Sequence, residues 1–193
     1  MLKRLFDIVV SLVFLCTLFP FLYIIIGVAV KTTSQGPILF RQQRHGKDGC
    51  VFTCLKFRTM KINGEADTLQ ATGNDKRLTS IGSFLRKTSL DEFPQFINVL
   101  KGDMSVVGPR PHMLHHTEMY SALIPSYMQR LSVKPGITGL SQVLGYRGET
   151  PTVADMARRV RLDLWYIDHQ SFFLDLYIFI HTPLCFFILQ NKP

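Results

Sequence analysis

The chain has 193 residues, a formal net charge of +8 and a hydrophobic content of 47%, which suits one domain with a real core. A basic protein favours nucleic acid, anionic lipid or phosphorylated substrates as partners. The sequence has no zinc-finger, RRM or KH motif, so we expect no nucleic-acid partner. The four cysteines lack paired zinc-ligand spacing, and we expect them to be reduced in a protein that faces the cytoplasm.

The first predicted element is an apolar segment, residues 8–30. As one helix it is long enough to cross a hydrocarbon core of ~30 Å. Pro20 interrupts it, and two shorter halves can form a hairpin that enters and leaves one membrane face. Basic residues flank the segment on both sides: Lys3, Arg4 and Lys31. We predict a re-entrant membrane helix over residues 1–31 with both ends in the cytoplasm, and a kinked spanning helix is the alternative.

Residues 38–44 and 51–58 predict two strands joined by a turn-rich connection. Period two places Lys56 and Arg58 on one face of the second strand. Two cations on one short face need anions or water, so this face either binds a diphosphate or is solvated. The polar residues 61–76 predict a mobile loop over the site.

Asp91 and Glu92 lie at the start of the next predicted helix. Its apolar residues have the i, i+3, i+4, i+7 spacing of one helix face: Phe93, Phe96, Ile97 and Leu100. Either Ser89 and Glu92 form a capping box or Asp91 caps the helix. In both cases the carboxylates lie at the positive end of the helix dipole, which also binds phosphate. The pair either only caps the helix or serves a phosphate, a metal and a nucleophile in one place.

Arg110 lies between Pro109 and Pro111, after a predicted strand at residues 104–107. The prolines restrict the backbone around Arg110, so the arginine loses little backbone entropy when it binds a ligand. Its planar guanidinium suits bidentate contact with phosphate. The alternative is a solvated arginine in a Pro-rich turn.

Residues 112–131 predict a helix interrupted near Pro125, and Pro151 opens another helix that runs to about Ile167. Histidines occur near the start of the first of these helices: His112, His115 and His116. They either bind a metal or lie on a partly exposed helix face.

Residues 171–189 form the last apolar segment. Asp175 and His181 make it too polar for a spanning helix, and Pro183 is expected to break it. Its aromatic residues suit a helix at the membrane interface. A buried carboxylate at Asp175 needs a partner. The candidate partners are Lys56, Arg58 and Arg110.

Six motifs occur in one order along the chain. They are KRLFDIVVS at 3–11, GPILFRQQRHG at 36–46, FTCLKFRTM at 52–60, LTSIGSFLRKTSLDEFPQFINVLKGDMSVVGPRP at 78–111, KPGITGLSQV at 134–143 and LDLWYIDHQSFFLDL at 162–176. In this order the motifs resemble the bacterial sugar transferase family, the monotopic phosphoglycosyl transferases, in its small catalytic-core form.

The resemblance implies a transferase that moves a sugar-1-phosphate from a UDP-sugar to polyprenyl (undecaprenyl) phosphate and releases UMP, an early membrane step of surface glycan assembly. It implies Mg²⁺ held by Asp91 and Glu92, with Asp91 also the nucleophile that forms a covalent phosphosugar intermediate. Residues implied to bind phosphate or substrate are Lys56, Arg58, Arg86, Arg110, Arg147, Asp163 and Asp175. The chain departs from the family in Lys134, where an arginine is common, and in residues 144–147, where many members read Asn-Gly-Arg-Asn.

We therefore expect a mixed α/β fold. The re-entrant membrane helix would occupy residues 1–31, and residues 32–193 would form a catalytic domain with a small sheet, several helices and an interfacial C-terminal helix. The protein would lie in the bacterial inner (cytoplasmic) membrane, facing the cytoplasm, with membrane lipid as a partner and self-association left open. Two other functions remain open: a membrane-tethered protein that binds anionic lipid or nucleic acid, and a metallohydrolase that uses the three histidines.

Overall fold

The computed structural model describes residues 1–62, 64 and 75–189. The fold is mixed α/β, with small sheets and many helices, as predicted. Most of the predicted loop at 61–76 lies outside the described residues. The elements in chain order are α1 (Leu2–Cys16), α2 (Leu18–Thr33), β1 (Leu39–His45), β2 (Val51–Phe57), α3 (Ser80–Thr88), α4 (Gln95–Lys101), β3 (Ser105–Val107), α5 (Leu114–Leu123), β4 (Gly136–Thr138), α6 (Leu140–Val143), α7 (Val153–Asp168) and α8 (Phe172–Leu189).

Strands β1 and β2 form the predicted hairpin. They pair antiparallel, from Leu39 opposite Phe57 to His45 opposite Val51. The connection between them is a short 3₁₀ turn in which Asp48 has a φ of 54°. Farther along the chain, β3 and β4 pair in parallel as a second, separate two-stranded sheet.

The N-terminal apolar segment forms two helices, with an angle of 55° between α1 and α2. The prediction that Pro20 separates the halves was wrong, because the break falls at Thr17. Pro20 instead occupies the first turn of α2, where a missing backbone N–H breaks no helical hydrogen bond. Among the described residues no single helix has the length and apolarity of a membrane span, although the bent pair taken together meets that criterion.

The first turns of α1 are fixed to the rest of the fold by polar contacts. Lys3 donates to the carbonyl of Val107 at 2.9 Å and to the carboxylate of Asp175 at 2.7 Å. The buried carboxylate of Asp7 accepts hydrogen bonds from Ser105 Oγ and from the backbone N–H of Val106. Helix α1 therefore begins against β3 and α8.

The polar side chain of Asn98 connects α4 to the hairpin. It accepts a hydrogen bond from the backbone N–H of Leu55 at 3.0 Å and donates one to the carbonyl of Thr53 at 2.8 Å. Around it lies the main apolar cluster, which draws on β2, α4, β3, α6, α7 and α8: Cys54, Phe96, Val99, Met104, Val106, Val107, Leu140, Val143, Tyr166 and Ile178. The core thus fixes α4 and β2 relative to each other.

The acid pair does not begin a helix directly, so both versions of the predicted cap were wrong. Ser89 has a φ of 54° and ends α3 in a left-handed conformation. Asp91 and Glu92 follow in a single 3₁₀ turn, and Pro94 then precedes the first residue of α4. Because Ser89 turns the chain out of α3, its side chain does not cap the next helix, and the two acids lie in the corner between α3 and α4.

In the C-terminal half, the interruption near Pro125 and the helix after Pro151 follow the prediction, whereas Pro183 does not end the last helix. Helix α5 is followed by a 3₁₀ helix at Tyr127–Ser132, which confirms the interruption near Pro125. Thr152 caps α7 by accepting a hydrogen bond from the backbone N–H of Asp155. Helix α8 continues through Pro183. One missing N–H does not end this helix, because its other turns keep their own bonds.

Candidate active site

A cavity of about 1430 Å³ lies between the hairpin, α3 and the segment that follows β3. This volume exceeds the ~300–1,000 Å³ of an ordinary small-molecule site. Asp91 and Glu92 lie in its wall. Cationic side chains also line the cavity, among them Arg41, Arg44, Lys56, Arg58, Arg86, Arg110, Arg147 and Arg159. The excess of positive charge favours a large anionic ligand.

Glu92 binds two of these cations directly. Lys56 Nζ donates to Oε1 at 2.6 Å, and Arg110 donates to both carboxylate oxygens, at 2.9 and 2.6 Å. Burial raises the pKa of Glu92, but Arg110 and Lys56 together outweigh burial and hold the pKa below its usual value. Glu92 in turn raises the pKa of Arg110. Glu92 is therefore ionised at neutral pH and fixes the positions of both cations.

Asp91 is equally buried but has a different environment. Its side chain belongs to a residue that is only 6% exposed, and none of the described residues donates a hydrogen bond to its carboxylate. Burial raises its pKa, Lys56 lowers it and Glu92 raises it, and together with smaller effects of Arg86 and Arg110 they bring the pKa to about 6. A buried carboxylate that is largely ionised at pH 7 and accepts no hydrogen bond from these residues has the properties of a nucleophile.

Arg86 approaches the acid pair from α3. Its Nε donates to Thr59 Oγ1 at 2.9 Å, and burial lowers its pKa while Asp91 raises it. Gly82 permits this approach, because a Cβ there would lie 1.8 Å from the carbonyl oxygen of Thr59. The structure thus brings Arg86 to the predicted site.

Two other predicted cations, Arg147 and Arg58, line the cavity but donate hydrogen bonds to other parts of the protein. Arg147 donates to Ser89 Oγ, next to the acid pair. Arg58 donates to the backbone carbonyls of Ser34 and Gln35 and so holds the end of α2. A contact between Arg58 and phosphate stays a prediction.

Asp163 and Asp175 are not among the residues that line this cavity. Asp163 accepts a hydrogen bond from Arg130 at 2.6 Å. Asp175 accepts from Lys3 and, at 2.5 Å, from the hydroxyl of Tyr166. The partners predicted for Asp175 on the hairpin and after β3 were therefore wrong, because α8 packs beside the start of α1.

Sequence reasoning misjudged His112 and missed Arg159. His112 was predicted to bind a metal or to lie on a partly exposed helix face, but it is only 6% exposed and precedes α5. His112 follows Arg110 and Pro111 in the same extended segment. This closeness in sequence to Arg110 is the signal that could have placed His112 in the site. Among the residues that the structure covers, no three His, Cys, Asp or Glu side chains are grouped to hold a metal ion.

Comparison with known proteins identifies the family. The chain matches the family model described as bacterial sugar transferase over residues 1–188. It belongs to the bacterial sugar transferase family. It is 53% identical over 98% of its length to a UDP-glucose:undecaprenyl-phosphate glucose-1-phosphate transferase of Klebsiella pneumoniae, and 51% identical over 94% to an Escherichia coli protein of the same name. A third relative with this name, from Caulobacter vibrioides, is 47% identical over 93% of the chain.

The chain spans only part of these family members. It covers 41% of the Klebsiella protein, 39% of the Escherichia protein and 67% of the Caulobacter protein. The similarity therefore includes the acid pair and every residue of the cavity, since all of them lie within residues 1–188.

The acid pair of this family member has the donor chemistry that suits Mg²⁺. Mg²⁺ takes oxygen ligands and usually binds one or two protein carboxylates together with substrate phosphate and water. Asp91 offers a carboxylate to which no described residue donates a hydrogen bond, whereas Glu92 already accepts hydrogen bonds from Lys56 and Arg110. The pair is therefore better suited to a metal ion that binds together with the diphosphate than to one held by protein ligands alone.

Proposed function

We propose that this chain transfers a sugar-1-phosphate from a UDP-sugar to undecaprenyl phosphate and releases UMP. The observation that carries the proposal is the contrast within the acid pair. Glu92 holds Lys56 and Arg110 by direct contact, while the buried carboxylate of Asp91 beside it receives no hydrogen bond from the described residues. An unengaged carboxylate next to fixed cations suits attack on a phosphorus that the cations hold.

In the first step, a carboxylate oxygen of Asp91 attacks the phosphorus that bears the sugar. The bond from that phosphorus to the bridging oxygen breaks, UMP leaves with the electron pair, and an acyl phosphosugar forms on Asp91. Lys56, Arg86 and Arg110 bind the phosphate oxygens and offset the repulsion between two anions. The two hydrogen bonds from Arg110 to Glu92 orient its guanidinium for this task.

In the second step, a phosphate oxygen of undecaprenyl phosphate attacks the same phosphorus. The acyl–phosphorus bond breaks, which regenerates the carboxylate of Asp91 and leaves the sugar on a lipid diphosphate. Two steps suit substrates this different, because the soluble donor product can leave before the lipid arrives.

Mg²⁺ bound by the Asp91–Glu92 pair and the diphosphate would neutralise charge on the phosphates and on the leaving UMP.

The chemistry of the donor follows from the relatives. Those named above are UDP-glucose transferases. We therefore propose UDP-glucose as the first donor to test within a panel of UDP-sugars.

The lipid acceptor implies a membrane location, and the N-terminal helix pair supports one. Its outward face carries exposed apolar side chains: Leu5, Val9, Leu12, Val13, Leu18, Phe21, Ile24, Ile25 and Val28. Lys3 holds the first turn of α1 to Val107, and Arg58 holds the end of α2. Because both ends attach to one folded body, we propose that the pair re-enters on the cytoplasmic side and that α8 lies at the interface of the inner membrane.

The test measures UMP release and label on the protein. Purified protein is given Mg²⁺ and UDP-glucose labelled at the sugar-bearing phosphate, without lipid. We expect label on the peptide that contains Asp91, released by hydroxylamine and transferred to undecaprenyl phosphate when this lipid is added. Asp91→Asn should abolish the label, Glu92→Gln should slow its appearance, and the control Asp168→Asn, at an exposed residue, should change neither.

Two results would overturn parts of the proposal. If lipid-dependent turnover is normal while label never appears, direct transfer between the two substrates replaces the covalent mechanism. If no UDP-sugar of the panel releases UMP in the presence of lipid, the transferase assignment itself fails.

A further inference from the structure

The wall of the cavity also carries buried polar atoms that do not belong to the acid pair. These atoms have no hydrogen-bond partner among the described residues: His112 Nε2, Arg159 Nε and Thr150 Oγ1. All three residues line the cavity, and Arg159 is only 4% exposed. Buried donors without partners are rare in native proteins, and a bound ligand is one way to satisfy them.

The contacts of His112 define what this group offers to a ligand. Arg130 Nη1 lies 3.1 Å from His112 Nδ1. The hydroxyl of Tyr127 lies 2.5 Å from the same nitrogen and can donate to it. Because a guanidinium only donates, we assign Nδ1 as the acceptor and place the proton of the neutral ring on Nε2. His112 Nε2 is therefore a donor, as is Arg159 Nε.

The rest of the Arg159 side chain is held in place. Its Nη2 donates to the carbonyl of Gly148 at 2.9 Å, which fixes the plane of the guanidinium and leaves Nε unpaired among the described residues. Such a preformed arrangement reduces the entropy that a ligand contact costs.

The local charge selects an anion. Burial lowers the pKa of Arg159 to about 10, and the nearby charge of Arg110 contributes to this shift, so Arg159 remains cationic at neutral pH. Burial and the charges of Arg130 and Arg159 lower the pKa of His112 well below its usual value. A buried carboxylate nearby, Asp163, is already paired with Arg130. A tetrahedral oxyanion would satisfy the donors and the excess positive charge together.

We propose that His112, Arg159 and Thr150 form a second phosphate subsite, which holds the phosphoryl group of a phosphate monoester beside the Asp91 centre. His112 follows Arg110 by two residues, a span of at most about 7 Å along the chain. This subsite rests on the proposed transferase function. Two monoesters meet at such a site, the leaving UMP and the lipid acceptor phosphate, and they share this chemistry.

The experiment uses full-length protein with Arg159→Met and His112→Phe. Matched controls are Arg158→Met, the exposed neighbour of Arg159 on α7, and His115→Phe, an exposed histidine. UMP affinity is measured by calorimetry. The KM for UDP-glucose and the KM for undecaprenyl phosphate are measured separately, and the thermal unfolding of each variant verifies the fold.

In both variants we expect the binding of one substrate, either the donor or the acceptor, to weaken by about 10- to 100-fold, because a charged hydrogen bond is lost. If the subsite holds the nucleotide, the Kd for UMP and the KM for the donor rise while the acceptor KM stays constant. If it holds the lipid phosphate, only the acceptor KM rises. If the Kd for UMP and both KM values are unchanged in variants that fold, the proposal is overturned.

Two further measurements keep the proposal testable if a variant misfolds or the enzyme is inactive. Arg159→Lys keeps the charge and removes the Nε donor, and it should show the same selective loss. An inactive wild type refutes the proposed function alone. Binding of UMP and of undecaprenyl phosphate to the wild type and to the controls is then compared with binding to the two variants, and affinities for both ligands that are equal in all of them refute the subsite.

Discussion

At the scale of single residues, Asp91 and Glu92 are adjacent and equally buried, yet their pKa values move in opposite directions. The difference comes from their partners, since Arg110 and Lys56 contact Glu92 and leave Asp91 without a hydrogen bond from the described residues. In many active sites, two titratable groups whose pKa values are shifted apart in this way have different roles. Here the division assigns positioning to Glu92 and attack to Asp91.

The raised pKa of Asp91 predicts the pH dependence of the first step. Below a pH of about 6 the carboxyl is mostly protonated and cannot attack. The second-order rate constant of labelling by the donor should therefore fall about tenfold for each unit by which the pH is lowered. Above that pH the rate should be constant. Rapid-quench labelling without lipid measures this, because the acceptor phosphate then adds no titration of its own. A profile that is flat between pH 5 and 8 would contradict the role of Asp91.

The same shift predicts that Asp91→Asn stabilises the fold at neutral pH. An acid whose pKa rises from 3.8 to about 6 on folding favours the folded state below pH 3.8, and this contribution is lost as the pH rises through 6. Removing the buried charge should therefore raise the free energy of unfolding by about 1–3 kcal/mol at pH 7.5 and change it little at pH 4. Denaturant titrations at both pH values measure this, with Asp168→Asn as the control.

Arg110→Lys tests whether the planar guanidinium matters beyond its charge. Arg110 reaches both oxygens of Glu92, which one ammonium group cannot reproduce in the same geometry. We expect kcat/KM for UDP-glucose to fall by about 10- to 100-fold with little change in thermal stability. Arg158→Lys, at an exposed residue, serves as the control. Normal turnover in Arg110→Lys would place the phosphate contact on another residue.

The sequence motifs alone predict that Lys56, Glu92 and Arg110 share one site, and both cations do contact Glu92 directly. Other residues could not be placed in this way. The pairing of Asp175 with Lys3 joins the two ends of the chain, and no local pattern encodes a contact of that separation. His112 was mistaken for part of a helix because its burial depends on Tyr127 and Arg130, which come from another element.

At the scale of elements, proline did not by itself decide where helices stop, although the interruption near Pro125 was predicted correctly. Pro20 and Pro183 were both expected to break helices, but Pro20 lies in the first turn of α2 and α8 continues through Pro183. Pro20 costs no helical hydrogen bond in the first turn of α2, and the single bond lost at Pro183 does not end α8. The positions of β1, β2 and α7 were predicted well, because their patterns and caps are local.

The contact between α1 and α8 should make a large contribution to stability. Asp175 is buried and accepts hydrogen bonds from Lys3 and Tyr166. Asp175→Asn leaves the ammonium of Lys3 without its counter-charge, and we expect a loss of about 1–3 kcal/mol, because Lys3 keeps partial access to solvent. Asp168→Asn, an exposed substitution on α7, should change stability little. Thermal unfolding of the detergent-solubilised proteins compares the two, and equal effects would show that the ion pair adds nothing.

At the scale of the whole molecule, the attachment of both ends of the helix pair bears on topology. The start of α1 contacts β3, and the end of α2 is held by Arg58 at the end of β2. Asn98 joins β2 to α4, so both attachment points belong to one connected body. Each helix is about 22–24 Å long, too short to cross a ~30 Å core alone. A pair that spans the membrane would have to separate these attachments.

We therefore predict that both ends of the pair are on the cytoplasmic side. Single cysteines are placed at Leu2 and Thr32, with Glu118 as the catalytic-domain reference, because all three residues are exposed. These cysteines are introduced into a variant in which serine replaces the exposed Cys16 and Cys50. In intact cells an impermeant maleimide should label none of the three positions, and it should label all of them in inverted membrane vesicles. Efficient labelling of Leu2→Cys from outside, with Thr32→Cys protected, would mean that the pair spans the membrane as one kinked unit.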